Sequence, residues 1–258
     1  MSAQADHVKV SVGQFAEQFR NDMIPLSNTF SYFCASVPMS EEELKEYLEE
    51  PIGALPPSIA AVLPKISIML VPYLERVDGK DKRTPPNDFV STEKPPDNRL
   101  FWASQVHLGD EEVLFFALKD QEVAEYHYRF YRMIASLIAD RWPEDVQSGY
   151  SSLLREELNS SVHGEVDEES WHVKQALLRR QSNVRKETKA FRDYVRASFI
   201  DTLTLYLHGI CCDIDVETGP RQLASRYLRR RLNLLFSLYA PPEGYAVLPE
   251  QLKEAEKR

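Results

Sequence analysis

The sequence predicts an α+β protein, predominantly α-helical, with a small antiparallel sheet in the N-terminal half followed by a helical C-terminal half. Three observations carry that class. Short runs rich in β-branched and aromatic residues are confined to residues 66–118, apolar residues recur at helical spacing from Asp120 onward, and the 44 residues from 165 to 208 contain neither glycine nor proline. Residues 1–118 are expected to form an N-terminal segment of helices and sheet, residues 119–258 a helical region, and the two to pack as one compact unit.

The elements follow in order. Phe15 and Phe19 stand at i,i+4 on an amphipathic N-terminal segment. Ser40 and Glu43 have the spacing of a capping box, which starts a short acidic helix that Pro51 is expected to end. Ile66–Leu74, Arg99–Val106 and Val113–Leu118 read as strands, the last two joined in an antiparallel hairpin through Leu108-Gly109-Asp110. Between the first two strands, residues 75–98 carry two Pro-Pro pairs and read as a long loop.

From Asp120 the pattern turns helical, with Val123, Phe130, Ile134, Leu137 and Ile138 on one face, then Val146, Tyr150, Leu153 and Leu154 after Pro143. The stretch free of glycine and proline is expected to break near Gln181-Ser182-Asn183, where the flanking sequence is poorest in apolar residues. A last helix runs from about Arg221 to Tyr239, followed by a tail that docks and then frays.

No run approaches the ~20 clean apolar residues of a membrane span, and the N-terminus shows no basic start followed by an apolar stretch. Three cysteines make no disulfide framework, which points to a reducing compartment and a cytoplasmic protein. Net charge is −9, but 13 Lys and Arg oppose only 6 Asp and Glu from Trp171 to Arg231. That asymmetry is expected to be absorbed by acidic residues of the N-terminal half folding onto the basic region.

The most suggestive motif is YLHGICCDID, residues 206–215. His208 and Cys211 share a helix face at i,i+3, and with Asp213 they form the candidate metal ligands; Cys212 points about 100° away. Two ligands from one helix do not complete a tetrahedral site, and no second Cys/His cluster accompanies them. The competing interpretation is an apolar helix end, with Gly209 near its C-terminus and the cysteines acting as small hydrophobes. The aspartates Asp213 and Asp215 resemble the start of a calcium loop, but Thr218 stands where that loop needs glycine and Ala224 where it needs glutamate. Glu169 and His172 form an isolated Glu-x-x-His pair, read as the acidic first turn of a helix capped by Asp167.

Winding the last helix at about 100° per residue puts Leu228, Leu232 and Leu235 on an apolar arc, with Arg226, Arg229 and Arg230 opposite. Arg231 falls inside the apolar arc. A buried guanidinium needs a carboxylate, and Asp201 or Asp213 is the expected partner. Arg226, Arg229 and Arg230, with Arg179, Arg180 and Arg185, are the candidate polyanion-binding residues. No nucleotide-binding loop, nucleophile elbow or zinc-peptidase motif is present. The expected function is a non-catalytic interaction or regulatory protein with a protein partner and no cofactor; the alternatives are nucleic-acid or polyanion binding through the basic helices, and a metal-dependent hydrolase at His208, Cys211 and Asp213.

Overall fold

A computed structural model describes residues 9–78, 87–180, 184, 186–212, 216 and 223–248. The chain divides into two units: residues 1–49 with 63–129, and residues 50–62 with 130–258.

The first unit holds both sheets. α1 (Val12–Gln18) begins at a capping box in which Ser11 and Gln14 satisfy each other's backbone amides. α2 (Glu41–Leu44) has the expected one, where the Glu43 carboxylate accepts from the Ser40 amide at 2.7 Å and the Ser40 hydroxyl accepts from the Glu43 amide at 3.2 Å. The larger sheet has the order β2 (Ile24–Pro25), β3 (Phe30–Cys34), β4 (Lys65–Val71), β9 (Glu111–Ala117), β8 (Ala103–Leu108). The smaller has the order β1 (Val10–Ser11), β6 (Asn87–Ser91), β5 (Tyr73–Val77), β7 (Leu100–Phe101).

The α+β class and the sheet-rich N-terminal half are as the sequence predicts, and so is the β8–β9 hairpin, in which Leu108 faces Glu111. The expected single antiparallel sheet needs correction, because β3, β4 and β9 run parallel. Pro72 interrupts the apolar run from Ile66 and hands the chain from one sheet to the other. β4 is buried at six of its seven residues, as a strand covered on both faces must be. β6 lies inside the stretch expected to be a loop; residues 79–86 fall outside the described residues.

One core of this unit gathers Val12 and Ala16 of α1 with Met69, Val71, Leu74, Val113, Phe115 and Ala117 of the strands. Phe15, Phe19 and Phe33 close its margin, with ring centroids 4.6 Å apart for each successive pair. Three aromatic rings in series contribute beyond their buried area.

The second unit is helical. The acidic helix does not stop at Pro51: a π-turned stretch, Lys45–Glu49, leads into α3 (Glu50–Gly53), so the proline sits where the regular hydrogen-bond ladder is already displaced. α4 (Pro57–Ala60) follows. Then come α5 (Val123–Ala139), of which the residues from Phe130 onward belong to this unit, α6 (Glu144–Asn159), α7 (Glu168–Leu178), α8 (Lys189–Cys212) and α9 (Ser225–Leu238). The predicted break is present, since α7 ends at Leu178 and α8 starts at Lys189; residues 181–183 are outside the described set.

α8 is buried along most of its length, from Phe191 to Ile210. The helix runs on to Cys212, so Gly209 lies within it and not at its end. A Cβ at Gly209 would stand 2.8 Å from a methyl of Val216 and 3.2 Å from one of Val247, and the glycine is there because two chain segments close onto the helix backbone. No helix among the described residues is long and apolar enough to cross a membrane.

Candidate functional site

Four features compete for the role of functional site. The deepest is a polar network inside the helical unit. Arg231 of α9 is fully buried, as the helical winding required, but Asp201 is not its partner. Its Nη2 donates to Glu157 of α6 at 2.6 Å and its Nη1 to Glu165 at 2.6 Å, with a further bond from Nη1 to the Ser198 hydroxyl at 2.8 Å. Asp201 instead accepts from Arg132 at 2.7 Å and from the Ser170 amide at 3.0 Å, and Asp213 lies outside the described residues.

Glu165 is the hub. Gly164 takes a left-handed backbone conformation, φ 79°, that turns the chain inward just before it. The Glu165 carboxylate then accepts from Arg231, from Lys174 of α7 at 3.1 Å and from the Tyr194 hydroxyl of α8. Lys174 spends a second donor on the Gly164 carbonyl at 2.8 Å. Tyr150 extends the network through Thr202 at 2.8 Å and the Ser198 carbonyl at 3.0 Å. Burial would raise the Glu165 carboxyl, yet Arg231 and Lys174 hold it down at about 2. Burial pushes the Tyr150 phenol up to about 12.

Two cations and two carboxylates therefore neutralise one another, and every one of the four is at most 2 % exposed. No substrate reaches them. Their chemistry is structural: buried charges persist only when paired and hydrogen-bonded.

The second feature is the YLHGICC end of α8. His208 is buried at 8 % exposure and packs against the Tyr131 ring, centroids 6.2 Å apart. Among the described residues it belongs to no group of three candidate metal ligands. Cys211 and Cys212 are partly exposed, with their Sγ atoms within 4.8 Å of each other. The isolated pair Glu169 and His172 does not act together: Glu169 binds Arg132, and His172 faces Glu168 at 3.2 Å. Asp167 caps that helix, accepting from the Glu168 amide at 2.6 Å.

The third is the basic region. Arg230 pairs with Glu156 of α6, and Arg226 covers the Tyr227 ring at 4.6 Å. Arg179 and Arg180 are exposed at the end of α7, and Arg185 is outside the described residues. The acids that meet this region belong to the helical unit itself: Glu156 with Arg230, Glu157 and Glu165 with Arg231, Asp140 with Arg196. The charge asymmetry of the sequence is thus answered in good part within the C-terminal half.

The fourth, which the sequence did not single out, is a cleft of about 410 Å³ in the first unit. Phe15, Val10, Val90, Pro95 and Pro96 form apolar walls, and Lys9, Lys94 and Arg99 stand at the rim. Glu75 of β5 lies at its floor, 3 % exposed, accepting from Lys9 at 2.8 Å and Arg99 at 3.2 Å. Burial pushes this carboxyl up, but the bonds from Lys9 and Arg99 win and leave it below its usual value. Lys94 pairs with Asp120 at 3.0 Å. Arg99 also lines an adjoining cleft of about 360 Å³ with Arg76, Asp78, Asn98 and Phe101. Arg76 is held there by Asp88 at 2.8 Å and lies 4.4 Å above the Phe101 ring.

The size fits the roughly 300–1,000 Å³ of ligand-binding clefts. The only sequence sign of it was the proline-rich stretch before Arg99. Comparison of the chain with protein families, curated proteins and solved structures yields no match.

Proposed function

We propose that the protein is a non-catalytic recognition protein, and that its first unit receives an extended acidic segment of a partner protein along the two clefts that meet at Arg99. One observation carries this reading: Lys9, Arg76, Lys94 and Arg99 each keep nearly half of their side-chain surface in solvent, whereas Glu75 is buried beneath two of them. An incoming carboxylate meets Lys9, Lys94 and Arg99, with the exposed Glu93 as the one acid beside them in the cleft lining, before it meets Glu75, and apolar side chains next to it find Phe15 and the Pro95-Pro96 wall. The arrangement offers charge, hydrogen-bond donors and apolar contact, which suffice for non-covalent recognition.

Binding of a short oligoglutamate peptide carrying one tryptophan tests the reading. Charge reversal at Lys94, which pairs with the exposed Asp120, weakens binding about tenfold, roughly 1.4 kcal/mol, while Arg230→Glu leaves it unchanged. Equal affinity for all three proteins contradicts it. Polyanion binding through Arg226, Arg229 and Arg230 is the alternative; it predicts the reverse order of the two variants and a salt-sensitive duplex DNA shift.

A further inference from the structure

We propose, on the recognition reading above, that Asp120 is an internal occupant of the cleft's rim: its carboxylate holds Lys94 in the place of an incoming acid, and the partner segment binds by exchanging for it. Each cation lining the two clefts is already held by an acid of the chain, Lys9 and Arg99 by Glu75, Arg76 by Asp88, and Lys94 by Asp120. The four ties differ in what breaking them costs. Glu75 and Asp88 expose only 4 % and 13 % of their side chains, and a buried carboxylate that loses its cation is strongly destabilising. Lys9, Arg99 and Arg76 therefore stay with their acids, and a ligand adds to those pairs. Asp120 exposes 49 % of its side chain, so water replaces Lys94 there at little cost. Lys94 is the one cation of the cleft that a ligand can take over outright.

Asp120 stands in the turn between β9 and α5, with a left-handed backbone, φ 62°. Its Oδ2 accepts from Lys94 at 3.0 Å and from the Tyr73 hydroxyl at 3.3 Å. When Lys94 leaves, the Tyr73 hydroxyl remains as a donor, and the neighbouring Lys119 keeps a positive charge beside the released carboxylate. Lys94 itself lines the cleft, next to the Pro95-Pro96 wall. One carboxylate thus replaces another at the same ammonium group, and the net charge around Lys94 is conserved. The affinity measured for the partner is then the intrinsic one reduced by the fraction of molecules in which Lys94 stands free of Asp120.

The test titrates the tryptophan-bearing oligoglutamate peptide into the full chain by calorimetry. Asp120→Asn keeps the size of the side chain, and both it and Asp120→Gly suit the left-handed backbone, so two variants remove the acid without straining the turn. A circular-dichroism melt accompanies each. Both are expected to bind the peptide about two- to fivefold more tightly than the parent, the range that releasing an exposed ion pair allows. Either substitution also removes a negative charge, which by itself favours an acidic peptide. The Lys94→Met background separates the two effects, because there Asp120→Asn is expected to leave the affinity where Lys94→Met put it. Asp120→Asn and Asp120→Gly binding no more tightly than the parent, or tightening by the same factor with and without Lys94, overturns the inference and leaves the recognition reading standing. Equal affinity of the parent and Lys94→Glu removes both.

Discussion

The Arg231 guanidinium and the Glu165 carboxylate meet at 2.6 Å with neither side chain exposed to solvent. Glu165 sits in the connection between α6 and α7, and Glu157, the other acid on Arg231, sits on α6. Through Lys174 and Tyr194 the same carboxylate reaches α7 and α8. Four helices are thereby fixed to one charged centre. Such a centre specifies an arrangement that apolar packing alone leaves open to sliding.

Arg231→Leu tests it. The substitution matches the apolar arc of α9 in character but strands Glu157 and Glu165 without a cation. Removing one partner of a buried pair costs about 3–5 kcal/mol, so the denaturation midpoint falls steeply. A melting temperature equal to or above that of the parent contradicts the structural role.

Acid titration gives an independent view. The Glu165 carboxyl stands at about 2 in the folded protein against an ordinary 4.5. A folded value below the unfolded one adds stability that is fully present above the unfolded value. That stability is lost as pH falls from about 4.5 toward about 2. Glu165→Gln is therefore markedly less stable than the parent near neutral pH, and the gap between their urea midpoints narrows through that window. A gap independent of pH contradicts the assignment.

Gly209→Ala is predicted to destabilise even though alanine is the better helix former by up to about 1 kcal/mol. The added methyl lands 2.8 Å from the short, stiff side chain of Val216. Val216→Ala in the same chain restores part of the loss, and a double-mutant cycle by chemical denaturation measures the coupling.

Ser40→Ala removes the side-chain acceptor for the Glu43 amide and frees the Glu43 carboxylate from the Ser40 hydroxyl. The expected cost is about 1 kcal/mol. Ser40→Asp, which keeps an acceptor, loses less.

The sequence revealed what depends on neighbours along the chain. The Ser40–Glu43 box, the Asp167 cap and the burial of Arg231 follow from spacings of a few residues, and all three are found. What it hid depends on distant pairing. Glu157 and Glu165 lie 74 and 66 residues from Arg231, and no local pattern separates them from the other acids. The parallel register of β4 with β9 is likewise non-local, and alternation along each strand does not reveal whether a partner runs with it or against it. β6 was missed because five residues flanked by proline-rich segments carry too short a pattern. The cleft was missed because its wall combines β1, α1, β5, β6 and the turn before Arg99, with no motif in any of them.

The recognition reading is tested most directly by amide hydrogen exchange on the full chain with and without the tryptophan-bearing oligoglutamate peptide. The account predicts added protection in residues 9–15, 87–91 and 93–101, weakened by Lys94→Glu and by raised salt. Protection confined to α9, or none at peptide concentrations that saturate a micromolar site, contradicts it.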